Sequence, residues 1–65
     1  MEWHHIEPRY MGGSPNGKII QLNAAYHQMI TNEFRKQYKY NLGPLNEVVR
    51  HNYMRDVYMK YPLPR

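Results

Sequence analysis

The chain has 65 residues, with nine Lys and Arg against five Asp and Glu and a net charge of +4. That length leaves room for one domain at most and for a core that is marginal unless a metal or a partner supports it. Cysteine is absent, which excludes disulfides and thiolate zinc centres, and the excess positive charge (pI ≈ 9.6) favours phosphate-rich partners or an acidic protein.

The N-terminal residues show neither the basic nor the apolar section of a signal peptide. No apolar run approaches the roughly 20 residues of a membrane span. The hydrophobic content, 42%, is too high for a disordered chain. Seven tyrosines and five methionines read as fillers of the irregular gaps in a small core.

In chain order, Glu2 to Glu7 predicts a short strand that Pro8 ends. Gly12-Gly13-Ser14-Pro15-Asn16-Gly17 is dense in turn formers and predicts a loop. Lys18 to Leu22, with β-branched Ile19 and Ile20, predicts a second strand. Asn23 is a natural N-cap for a helix from Ala24 to about Tyr40, whose Tyr26, Met29, Ile30, Phe34 and Tyr38 recur at three- and four-residue spacing. His27 falls at the edge of that apolar face. Asn41-Leu42-Gly43-Pro44 breaks the helix, and Pro44 suits the first turn of a second one from Leu45 to about Lys60. Leu45, Val48, Val49, Tyr53 and Val57 form its expected stripe, and Trp3 is expected as a core anchor beneath the hairpin. The fold class expected is α+β, a β-hairpin packed on a helix with a second, C-terminal helix. The whole chain, 1–65, is expected to be one domain, with 3–34 as its core and 44–61 as the C-terminal helix.

Three histidines carry the chemistry. His4 and His5 are neighbours on the first strand, and His27 comes from the helix. Consecutive strand residues point to opposite faces, so one imidazole can take a metal while the other takes a proton from water. Hydrolysis of a phosphodiester needs both a base and a cation that neutralises the developing charge. A His-His pair by itself is most often a surface feature of a strand, and a lone helix histidine is most often a satisfied core residue. Their combination with a turn-rich loop of this length is what raises the metal reading. Arg9 and Lys18 flank the proposed centre as candidate phosphate contacts. Arg35, Lys36 and Lys39 suit either flanking phosphates or the C-terminal helix dipole. His51 belongs to no motif and is expected to be a polar surface residue.

Trp3-His4-His5-Ile6-Glu7-Pro8, the Gly-Gly loop and Ile19-Ile20-Gln21-Leu22-Asn23-Ala24-Ala25-Tyr26-His27-Gln28 together resemble the HNH (ββα-metal) superfamily of nucleases. The branch they look most like is the compact His-His nuclease domains at the C-terminal ends of bacterial polymorphic toxins. The resemblance spans residues 3 to about 34. It implies a ββα-metal finger holding a single divalent ion, magnesium first, with manganese, nickel or zinc also acceptable to histidine ligands. Carried over position by position, His4 and His27 would be metal ligands and His5 the general base.

The family often places an asparagine just before the second strand to steady the loop and orient the base. Here that position is Lys18, and the nearest asparagine is Asn16, so either Asn16 serves through a shifted loop or the role is unfilled. Asn23 and Thr31 each lie four positions from His27, so either can face the ion, although Asn23 is more simply an N-cap.

The activity implied is metal-dependent endonuclease cleavage of DNA with low sequence specificity. The alternatives are an RNase on the same scaffold and a non-catalytic, zinc-stabilised module that binds nucleic acid or protein. The resemblance also implies the toxin domain of a longer secreted effector, active in the cytoplasm of a target cell and held in check by an acidic immunity protein. Met1 standing directly before the motif fits such a piece of a longer protein.

Overall fold

The computed structural model describes residues 1–64. β1 (Glu2–His5) and β2 (Ile19–Leu22) pair antiparallel, with Glu2 opposite Leu22, Trp3 opposite Gln21, His4 opposite Ile20 and His5 opposite Ile19. Both strands are shorter than the sequence pattern predicts. The pairing ends where the Ile6 amide donates to the Lys18 carbonyl at 3.1 Å, and the chain then turns away. Because side chains alternate across a strand, Glu2, His4, Ile20 and Leu22 share the face that turns toward the helix, and Trp3, His5, Ile19 and Gln21 share the other. Burial follows the alternation: Leu22 and His4 are buried, whereas Trp3 and Ile19 are exposed. Trp3 is therefore not the core anchor expected of it.

The connection between the strands contains a short 3₁₀ turn, Arg9–Met11, that the turn-former signal did not reveal. It places Met11 at the centre of the molecule, fully buried. The Pro8 carbonyl accepts from both the Met11 and Gly13 amides, and Gly12 leaves the turn at φ 106, a left-handed conformation that favours glycine. A Cβ on Gly13 would collide with the Glu7 carbonyl, so this loop closes tightly against its own start.

α1 (Ala24–Gln37) is capped by Asn23, whose Oδ1 accepts from the Ala25 and Tyr26 amides at 2.9 and 3.3 Å. The helix stops three residues earlier than predicted because Tyr38 turns to an extended conformation, φ −141 and ψ 110. Asn41 and Gly43 then take positive φ and carry the chain to the second helix. α2 (Glu47–Lys60) starts two residues later than predicted. The Leu45 amide is used by the Met11 carbonyl at 2.8 Å, and Asn46, not the region of Pro44, caps the helix by accepting from Val49.

Met11, Leu22, Ile30, Phe34 and Val57 form the core, drawn from the 3₁₀ turn, β2, α1 and α2. Tyr10, Tyr26, Tyr38, Tyr53 and Tyr58 pack around them. Three members of the expected apolar stripes lie outside: Met29 on α1, and Val48 and Val49 on α2, of which Val48 is 72% exposed. Tyr58 and Met54 take up the buried face of α2 instead. Lys60 pairs with Glu33 at 3.2 Å, and Tyr26 donates to the Pro62 carbonyl, so the end of α2 is tied to α1. The architecture is α+β, a two-stranded antiparallel hairpin followed by two helices. Among the described residues no helix is long and apolar enough to cross a membrane.

Candidate metal centre and its groove

β1 and α1 bring His4 and His27 together. Their ring centroids are 5.0 Å apart and the rings meet edge to face at 69°. An imidazole bound through one nitrogen at roughly 2.1 Å has its ring centre a little over 3 Å from the ion, so two rings meeting at 90–110° stand about 4.5–5.3 Å apart. The observed separation falls within that window. The donor set fits a divalent cation.

Hydrogen bonds assign the nitrogens. Tyr58 donates to the Ile6 carbonyl at 2.6 Å, so the phenol oxygen must accept from His4 Nε2–H at 2.8 Å. That leaves the lone pair on His4 Nδ1. His27 Nδ1–H donates to the Glu2 carboxylate at 2.9 Å, leaving the lone pair on Nε2. Each proposed ligand thus has one nitrogen held by an oxygen, the arrangement that fixes tautomer and ring orientation in metal sites. His4 is buried, and its pKa is pushed down to about 4, first by burial and then by the nearby His27 and His5 rings. Near neutral pH it is an uncharged ligand. Burial also pushes the Tyr58 phenol up, so it stays protonated and able to donate to Ile6.

His5 projects from the opposite face of the strand and is half-buried. Its Nε2–H reaches the Pro15 carbonyl in a long contact of 3.4 Å, leaving Nδ1 free to take a proton. The loop therefore addresses His5 through the Pro15 main chain. Asn16 does not: its amide donates to Ser14 Oγ, and its side chain contacts none of the three imidazoles. Asn23 is likewise spent, since its Oδ1 serves the two helix amides. Thr31, one turn after His27, lines the groove instead.

All three imidazoles open on one groove of ≈ 720 Å³. Arg9 and Arg35 line it, and no Asp or Glu is among its lining residues. Lys18, expected beside Arg9, lies elsewhere. It borders a separate depression of ≈ 380 Å³ with Glu7 and Met54. Arg35, from the last turn of α1, occupies the place expected of Lys18.

His51 is engaged rather than free at the surface. It donates to Glu7 Oε1 at 3.0 Å, and Arg50 binds Glu7 Oε2 at 3.0 Å. Together they clasp the end of the hairpin to α2. Tyr58 and Glu2 are the participants that sequence reasoning did not find. Glu2 alternates with His4 along β1, and that spacing was the one available signal. Nothing local announces Tyr58, which lies 54 positions from His4.

Among the described residues no group of three or more His, Cys, Asp or Glu side chains gathers at one point. What the groove does bring together is the pair of imidazoles of His4 and His27. Comparisons with protein-family models, with curated proteins and with solved structures found no match to this chain.

Proposed function

We propose that this chain is a divalent-metal-dependent endonuclease that hydrolyses phosphodiester bonds of DNA with low sequence specificity. The observation that carries the reading is the approach of His4 and His27 to 5.0 Å, each with a second nitrogen held by Tyr58 or Glu2, in the groove that also contains His5. A divalent cation between those two rings would neutralise charge on the phosphorane-like transition state and on the departing oxygen. His4 Nδ1 and His27 Nε2 would hold it. His5 Nδ1 takes a proton from the attacking water, while the Pro15 carbonyl keeps the opposite nitrogen protonated and the ring aimed. Arg9 and Arg35 hold the flanking phosphates.

Two imidazole ligands leave positions for water and substrate phosphate, a donor set better matched to nickel or zinc than to magnesium, which prefers oxygen ligands. Two imidazoles do not suit a structural zinc centre, which closes with four protein ligands. That difference favours the enzyme over the non-catalytic module. By the same resemblance we place the chain as the toxin domain of a bacterial secreted effector, with an acidic immunity protein as its inhibitor. The net charge of +4 supports that partner.

Incubation of supercoiled plasmid with the protein and magnesium, nickel or zinc tests the reading. Nicking and linearisation are expected, and they should disappear with EDTA and with His5→Ala. Absence of cleavage, or cleavage undiminished in the variant, rejects it. Degradation of purified RNA with plasmid spared would move the activity to RNA on the same groove.

A further inference from the structure

The outer face of β1 presents two side chains to the groove, Trp3 and His5. They are two positions apart, about 6.5–7 Å along a strand. Trp3 is 61% exposed and is not part of the core cluster. This indole borders the groove where the proposed base sits. At another part of the groove Tyr40 is 57% exposed. Its ring stacks on Tyr10 with centroids 5.3 Å apart, and the Arg35 guanidinium lies 5.3 Å from its centre. Arg9 and Arg35 supply cations, and no carboxylate lines the walls.

Exposed aromatics beside a cationic track are what unpaired nucleotides require. Their bases offer open π-faces, whereas a duplex hides those faces in its own stack and presents mainly phosphates. We infer that the groove binds single-stranded nucleic acid, with a base stacked on Trp3 next to the phosphate addressed by His5. This deepens the nuclease reading and rests on it for the choice of groove: it makes unpaired strands the substrate class. Charge complementarity and the two exposed rings argue for this occupant.

Trp3 is the only tryptophan in the chain, so its emission reports the stack directly. The test is a titration of the intact protein in EDTA, where no cleavage occurs. The probes are an oligodeoxyuridylate and an oligouridylate of about eight nucleotides, which differ only in the sugar and lie within the roughly 4–16-nucleotide range of single-strand sites, and a blunt DNA duplex. Quenching of Trp3 and tighter binding of at least one single strand than of the duplex are expected, and the stronger of the two strands identifies the sugar. Anisotropy with a labelled oligonucleotide should show Trp3→Ala weakening single-strand binding about 5- to 150-fold, the equivalent of one stacked base. Duplex binding should fall less than about twofold, since phosphate contacts are untouched. Tyr40→Ala should show the same preference more weakly.

Duplex binding as tight as single-strand binding, or an unquenched Trp3 at saturation, overturns the inference. Trp3 contributes nothing to the core, so the variant is expected to melt with the unaltered protein. Should it not, the quenching experiment on the unaltered chain decides alone. Because these measurements exclude metal, they separate the two readings. Plasmid cleavage without single-strand preference sinks this inference only. Single-strand binding without cleavage sinks the hydrolase only.

Discussion

The hydroxyl of Tyr58 stands 2.8 Å from Nε2 of His4, across 54 positions of sequence, and donates its own hydrogen bond to the Ile6 carbonyl. The second helix thereby sets which nitrogen of His4 is left for a cation. Tyr58→Phe removes the acceptor and leaves a buried N–H and a carbonyl without their partner. A loss of about 1–3 kcal/mol in unfolding free energy is expected, read by urea titration. Removal of such an outer partner also lowers metal affinity about 10- to 100-fold. Calorimetric titration with manganese measures this, and unchanged affinity in the folded variant would contradict the tautomer assignment.

The three histidines should separate by measurement. His4→Ala and His27→Ala are expected to weaken manganese binding and cleavage together, since both take away a ligand. His5→Ala is expected to retain manganese binding and lose cleavage by about 10²–10⁴-fold, the range of a positioned acid or base. Equal loss of metal affinity in all three would mean that residue 5 is a ligand too.

Arginines and Lys18 should also differ. Arg9→Ala and Arg35→Ala are each expected to reduce the salt dependence of nucleic-acid binding by about 0.7–0.9 in the log–log slope, one phosphate apiece. Lys18→Ala should leave that slope unchanged, because Lys18 borders a different depression. Binding constants across a potassium chloride series check the contrast.

Asn23 and Asn16 give a further control. Asn23→Ala should cost about 1 kcal/mol of stability through the lost cap, with manganese affinity unaltered. Asn16→Ala should leave cleavage intact, since the loop reaches His5 through the Pro15 carbonyl.

Acid should loosen the clasp between hairpin and second helix. The His51 hydrogen bond holds the Glu7 carboxyl below its ordinary value; burial, the next largest influence, acts in the other direction, and the charges of Arg50 and His51 with the Arg50 hydrogen bond add to the lowering. A carboxylate with a depressed folded pKa binds fewer protons than its unfolded counterpart, so its contribution is complete above about pH 4.5. That contribution disappears as pH falls below 4.5 and through the folded value. Melting temperatures measured from pH 6 downward should therefore decline more steeply in the unaltered protein than in Glu7→Gln. Parallel curves would show that Glu7 does not carry the effect.

Local chemistry made much of this molecule legible. Strand alternation separated His4 from His5, the Asn23 cap marked the start of α1, and helical periodicity found Ile30 and Phe34. These signals act within a few residues, so a single sequence carries them. Long-range packing is different. Met11 is buried by a 3₁₀ turn hidden in a run of turn formers, and Trp3 is exposed because the occupied face of β1 already belongs to His4. Val48 looked like core by spacing, yet Tyr58 and Met54 define the buried side of α2. The loop asparagine was sought as a side chain, but a main-chain carbonyl, which any residue carries, reaches His5.

The bend at Asn41–Gly43, with its two left-handed residues, joins the histidine-bearing half to the half that holds Tyr58. A protease nick there would let the trailing segment drift off, and His4 would lose the anchor that orients it. One clip in that turn would thus release the orientation of His4 without altering His4, His5 or His27 themselves.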